Sequence, residues 1–276
     1  MFVSVPLVTA GVCTTAVCGW FFTRRTAPPL LPSSVRAYLE TVNGTDGVVI
    51  KPGVLTEAER EVMTDSFLKG PDFAWMMREP DHETLDPRKH RDGTRYMLEV
   101  MFRFAQRYGY VLIARGNGDN TEHGTFLGAV YLLPPYTRRV LPLGRPVPTT
   151  THAAAAARFD VFCAALDYHR HTVVCQDTPH WYVAAVAVAP SAQGHGVGRK
   201  LLAVAQECAA HDAVPLFLDC HDGNVPFYEK MGMVSRVRYV LRPNHQGQRQ
   251  SENVTEQPDD FYFHAMVHEP KNAHTN

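Results

Sequence analysis

Apolar and polar positions along the chain follow two rhythms, one near 3.6 residues and one near 2, and their succession predicts a mixed α/β fold. GVVIKP reads as a short strand closed by Pro52. LTEAEREVMTDSFLKG carries a helix-start signature: Thr56 as N-cap, Glu59 three residues on, and Gly70 as the stop. RYMLEVMFRFAQRYG places apolar residues at helical spacing and ends on Gly109. YVLIARG and GTFLGAVYLLPP read as adjacent strands joined by the polar turn NGDNTEH, with Pro134 and Pro135 ending the second. Beyond an irregular stretch rich in Pro and Arg, residues 136–151, the alanine run of HAAAAARFDVFCAALDYHR favours helix. HWYVAAVAVAP is too short for most helices and reads as a buried strand bounded by Pro190. VGRKLLAVAQECAA continues as a helix with Val197, Leu201, Ala205 and Cys208 along one face. PLFLDC is another buried strand, VPFYEKMG a short helix stopped by Gly232, and SRVRYVL and FYFHAMVH are closing strands separated by a polar loop.

The first 22 residues break the pattern. They contain no charged side chain, and Arg24 and Arg25 come directly after them. Such a run is long enough to span a bilayer, and the positive-inside tendency would put the remainder of the chain in the cytosol. The expected layout is therefore a membrane anchor at 1–23, a Pro-rich linker at 24–35, a folded domain at 36–270 and a short tail at 271–276. A soluble cytoplasmic protein is the alternative. Composition adds little beyond this: 45% hydrophobic and 20% charged residues describe an ordinary globular chain. A formal net charge of −1 argues against nucleic acid as a main partner, which would need a concentrated basic face. The six cysteines, Cys13, Cys18, Cys163, Cys175, Cys208 and Cys220, show no metal spacing and read as reduced thiols, so no metal is expected.

Candidate chemistry centres on AVAVAPSAQGHGVGRKLL, where Gly194, Gly196 and Gly198 lie between a buried strand and a helix. The first N–H groups of that helix lack intrahelical partners, and the helix dipole favours an anion there. Glycines remove the Cβ atoms that would hold a phosphate off the backbone, and Arg199 and Lys200 add positive charge. A phosphate-binding turn and a tight, ligand-free connection both fit this cluster. The spacing excludes a G-x-G-x-x-G dinucleotide fingerprint, since Arg199 or Leu201 falls where the third glycine belongs, and no Gly-Lys-Ser/Thr is present. A dinucleotide-dependent oxidoreductase is disfavoured accordingly.

The remaining pattern, Q-x-x-G-x-G at Gln193, Gly196 and Gly198, resembles the pyrophosphate loop of the GNAT family, the GCN5-related N-acetyltransferases. VAVAP before the loop resembles the family's acyl-binding strand, and NVPFYEKMGM its later Asn…Phe-Tyr segment. SFLKGPDFAWMM, GAVYLLPP and HWYVAAVAV extend the likeness over roughly residues 48–268. Val186 stands for the usual Leu and Met233 for the usual Phe, while Asp219-Cys220 ends the fifth strand where many relatives have Thr. The resemblance implies a mostly antiparallel central sheet flanked by helices, with a splayed parallel strand pair that binds CoA.

It implies chemistry as well: acetyl transfer from acetyl-CoA to an amine, by direct attack in a ternary complex. The oxyanion so formed needs a preorganised donor, implied to be the Val188 backbone N–H. Val186, Ala187 and Val188 would contact the acetyl group and pantetheine, and the amides of Gln193, Gly194, His195, Gly196, Val197, Gly198 and Arg199 would hold the pyrophosphate. Tyr228 matches the family's catalytic tyrosine, a phenol able to protonate the departing thiolate. Asn224 would cap the VPFYEK helix and reach the pantetheine. For the base that deprotonates the amine, His180 is the residue chosen, with His264 a further histidine of suitable ordinary pKa. The helix after residue 152 and the loop holding Arg138 and Arg139 would border the acceptor pocket. The acceptor itself is not identified, and a CoA-binding regulatory module without transfer activity is the competing class.

Overall fold

The computed structural model describes residues 30–43, 47–78, 85–117, 124–135, 153–174, 178–242 and 260–270. The expected anchor (1–23), the first half of the linker, the 136–151 stretch with Arg138 and Arg139, and the tail lie outside them. Among the described residues no helix is long and apolar enough to cross a membrane.

Seven strands form one sheet: β1 (Val48–Pro52), β2 (Tyr110–Gly116), β3 (Thr125–Leu133), β4 (Trp181–Val188), β5 (Leu216–His221), β6 (Val234–Leu241) and β7 (Phe261–His268), in the order β1-β2-β3-β4-β5-β7-β6. Every neighbouring pair is antiparallel except β4 and β5, which run parallel. A parallel pair needs a crossover, and α6 (Val197–His211) supplies it. Both faces of the sheet are covered. α2 (Glu57–Phe67), α3 (Pro71–Met77), α4 (Pro87–Tyr108) and α5 (Ala153–Tyr168) pack on one face. α1 (Ser33–Val42), α6 and α7 (Val225–Lys230) pack on the other. Coverage on both sides explains why β4 and β5 read as near-continuous apolar runs.

All seven strands lie where the apolar pattern puts them. α2 begins with the expected capping box: the Thr56 hydroxyl accepts from the Glu59 N–H at 3.3 Å, and the Glu59 carboxylate accepts from the Thr56 N–H at 2.8 Å. The predicted face of α6 is buried throughout, at Val197, Leu201, Ala205 and Cys208. Three differences stand out. α1 begins at Ser33, inside the expected spacer. α3 is absent from the predicted elements; it buries Phe73, Trp75, Met76 and Met77, so it has no polar face to mark a helical period. α4 starts at Pro87 behind an Asp86 N-cap, about two turns before Arg95. Cys163, Cys208 and Cys220 are buried.

Because the capping box satisfies two otherwise orphaned amides, Thr56→Ala is expected to destabilise the fold by about 1 kcal/mol in urea denaturation. An unchanged midpoint would show that the box contributes nothing.

Candidate active site

β4 and β5 pair at Trp181 with Leu216 and at Tyr182 with Phe217, and then part. A bulge marks the place. On the β3 side, Ala185 lies opposite Tyr131 and Val183 opposite Leu132, which leaves Ala184 as the extra residue in β4. Beyond it, the backbone groups of β4 that would have met β5 face a gap.

The register fixes which groups these are. Ala189 N–H donates to the Leu127 carbonyl at 2.8 Å, while Val188 lies opposite Gly128. In an antiparallel ladder that alternation turns the N–H and C=O of Val188, and of Val186 two residues earlier, away from β3 and into the gap. The Val188 carbonyl is taken by Ser66 Oγ at 3.0 Å and Gln193 Nε2 at 3.3 Å. Ala187 is buried, and Val186 and Val188 are half-buried against the α6 side.

The glycine turn stands at the mouth of this gap. Gly194 and Gly196 have φ of 82° and 80°, the left-handed region that side chains avoid, and no atom lies within 4 Å of where their Cβ atoms would stand. A Cβ on Gly198 would come within 3.3 Å of the Val188 side chain, so the start of α6 can lie close to β4. The first helical bond runs from Lys200 N–H to the Gly196 carbonyl, leaving the preceding N–H groups to whatever occupies the turn. Gln193, Gly194, His195, Gly196 and Arg199 are exposed, and Val197 is buried beneath them. An open cradle of backbone donors at a fifteen-residue helix, with cationic Arg199 and Lys200 beside it, fits a diphosphate.

α7 places Tyr228 on the α6 side of the sheet, 7% exposed. Burial, reinforced by the Cys220 thiol and the Asp72 carboxyl, holds the phenol well above the ordinary tyrosine value, so it keeps its proton. Burial likewise pushes the Cys220 thiol up to about 12, which keeps it uncharged. Asn224 stands at the N-cap position of α7 but makes no capping bond, a departure from expectation that leaves its side chain exposed.

His180 lies just before β4, in the region where the strands are still paired. Its Nδ1 is 2.8 Å from the Thr178 carbonyl, and its ring packs edge-on to Phe217. Burial, together with nearby Arg170 and His171, pushes its pKa down to about 4. His264 is held between Ser235 Oγ (2.7 Å) and Asp222 Oδ1 (2.8 Å).

Sequence reasoning misses the group that the fold treats most unusually. Asp219 sits in β5 two residues past the last pair with β4. It accepts from the Tyr239 hydroxyl at 2.9 Å and from the Tyr182 hydroxyl at 3.5 Å. Burial pushes it up to about 7, against the smaller opposing pull of the Tyr239 bond, Arg170 and the Tyr182 bond. A π-helical turn, His169–Val174, roofs this pocket. It stacks the His169 ring on Tyr239 at 3.9 Å and sets the Arg170 guanidinium 4.4 Å from the Tyr182 ring centre. The one signal in the sequence is an acidic residue inside the apolar run PLFLDC.

With this geometry in place, residues 154–233 match the model of the Acetyltransferase (GNAT) family. That segment is of GNAT type. The match supports an acyltransferase that uses acetyl-CoA. The matched GNAT segment runs from α5 through the glycine turn to the end of α7. Among solved structures, the chain is similar to histone acetyltransferase HPA2 and related acetyltransferase from Corynebacterium glutamicum, at 20% identity over 82% of this chain and 97% of that one, TM-score 0.43. It is similar to a mosquito arylalkylamine N-acetyltransferase like 5b, at 15% identity over 80% and 99%, TM-score 0.47. It is also similar to the polyamine N-acetyltransferase of Drosophila melanogaster, at 17% identity over 80% and 99%, TM-score 0.45.

Two outcomes are expected of this candidate site. Gly196→Ala forces a side chain into the left-handed region and is expected to cost about 1–2 kcal/mol in urea denaturation; a cost of zero would show that the turn has relaxed. Asp219 binds its proton more tightly in the folded state than its reference value of 3.8, so its contribution to stability is full below pH about 4 and is lost as pH rises toward 7. The melting temperature of Asp219→Asn relative to wild type should therefore climb between pH 5 and pH 8. A gap independent of pH would contradict the shift.

Proposed function

We propose that the protein transfers the acetyl group of acetyl-CoA to an amine by direct attack within a ternary complex. The observation that carries this reading is the parting of β4 from β5, which turns the Val188 N–H into a gap that begins at the glycine turn. The diphosphate of CoA lies on the amides of residues 193–199, and the pantetheine runs along Val186, Ala187 and Val188 with the Asn224 side chain beside it. The thioester carbonyl is then met by the Val188 N–H, a donor fixed by its ladder that needs no reorganisation as the oxyanion forms. Tyr228, buried beside the gap and kept protonated, hands its proton to the thiolate as the C–S bond breaks.

Free-thiol release from acetyl-CoA, measured with phenethylamine, putrescine and a short peptide bearing a free N-terminus, tests the reading. At least one amine is expected to accelerate release and to appear as its N-acetyl derivative. Binding of acetyl-CoA with no acceleration by any amine would favour a regulatory CoA-binding module instead. Tyr228→Phe is expected to lower kcat by about 100-fold while calorimetry shows acetyl-CoA affinity within twofold of wild type. Equal rates would remove Tyr228 from the chemistry.

A further inference from the structure

We propose that Asp219 is the catalytic base, the group that takes the proton from the acceptor's ammonium before attack. The inference rests on the acetyl-transfer reading above and adds the residue that reading lacks.

Successive residues of a strand face opposite sides of the sheet. Leu216, Leu218 and Cys220 of β5 point to the side of α6 and Tyr228, whereas Phe217 and Asp219 point to the side covered by α2 to α5. Asp219 lies beyond the last β4–β5 pair, so its carboxyl stands beside the gap, on the face opposite Tyr228. A thioester lying in the gap would thus have a proton donor on one face and a proton acceptor on the other. Amine attack calls for a proton acceptor, and thiolate departure for a proton donor.

The carboxylate is held in place. Tyr239 on β6 and Tyr182 on β4 each hold one of its oxygens, and the residue retains partial solvent exposure. Both phenols are held above the ordinary tyrosine value, by burial first and by Asp219 second, so they stay donors and do not compete for the proton. The charged and titratable groups around the pocket are Arg170 on the π-helical turn above Tyr182, His169 stacked on Tyr239, and His221 two residues on in β5. With its proton affinity raised to about 7, Asp219 is matched to accept a proton at neutral pH. The other candidates are engaged elsewhere. His180 lies where the strands still pair and titrates near 4, and His264 is clasped by Ser235 and Asp222. Asp72 accepts from the backbone amides at the start of α3, and His221 Nδ1 accepts from the Gly223 N–H.

In the balanced step, the ammonium gives one proton to the Asp219 carboxylate, and the freed nitrogen lone pair forms the C–N bond as the carbonyl π pair moves to oxygen. Collapse restores the C=O bond and breaks the C–S bond; sulfur keeps that electron pair and takes the Tyr228 proton. The nitrogen loses its second proton, which restores the phenol, and Asp219 releases its own to water. The net products are amide, CoA thiol and one proton.

The test measures kcat between pH 5.5 and 9 at saturating acetyl-CoA, with whichever of phenethylamine, putrescine and the free N-terminal peptide reacts fastest. Wild type is expected to lose activity below a midpoint near pH 7. Asp219→Asn should be about 100-fold slower, lack that acid limb and bind acetyl-CoA within twofold of wild type; Asp219→Glu should recover part of the rate. Tyr239→Phe, which removes a donor to the carboxylate, should move the limb to higher pH, and this holds even if the Asn variant does not fold. Asp219→Asn with wild-type rate and limb, or Tyr239→Phe with an unmoved limb, overturns the base role and leaves acetyl transfer standing. A wild-type enzyme that acetylates none of the three amines overturns the acetyl-transfer reading and the base with it.

Discussion

The structure depends on one interruption of backbone pairing. Strands β4 and β5 share two paired positions and then diverge. A sheet interior that gives up ladder hydrogen bonds leaves polar groups that must find other partners. Here the Val188 carbonyl finds Ser66 and Gln193, while the Val186 and Val188 N–H groups are left facing the gap. The bulge at Ala184 bends β4 at this point, and beyond it Ala185 to Val188 stay paired with β3, so the opening is held by that ladder on one side. The Val188 N–H, the donor proposed for the acyl carbonyl, is therefore part of the sheet and is positioned before any ligand arrives.

The same interruption organises the chemistry by face. α6 starts just after β4 ends, and Gly198 lets it start within contact of Val188, so the exposed amides of the glycine turn and the end of β4 form one continuous surface. Tyr228 and Cys220 sit on that side in surroundings that keep both protonated. Asp219 is on the other side, under a π-helical turn whose His169 and Arg170 cover the two tyrosines that hold it. π-helical turns cost regular helix geometry and recur at functional sites. Here the turn sets His169 against Tyr239 and Arg170 over Tyr182.

How much of this is legible in the sequence depends on whether a feature is local. Strands bounded by Pro and Gly, the capping box at Thr56 and the periodic face of α6 are written in neighbouring residues, and all are found where the pattern puts them. The glycine turn is legible for the same reason, because left-handed φ at Gly194 and Gly196 is a property of the residue itself. α3 escapes because four of its seven residues are buried apolar groups, so no amphipathic period exists to detect. α1 escapes because its first residues come after a Pro-rich run that reads as linker. Asp219 is visible only as an acid in an apolar strand. Its raised proton affinity comes from burial in a pocket built by Tyr182, Tyr239 and Arg170, which lie on three other elements and meet only in the fold.

Mapping of backbone amide chemical shifts during a titration with coenzyme A addresses the central claim most directly. The largest changes should fall on residues 193–199 and on Val186 and Val188, in one saturable process. Changes confined to other elements, with these amides unmoved, would place the ligand elsewhere and contradict the account.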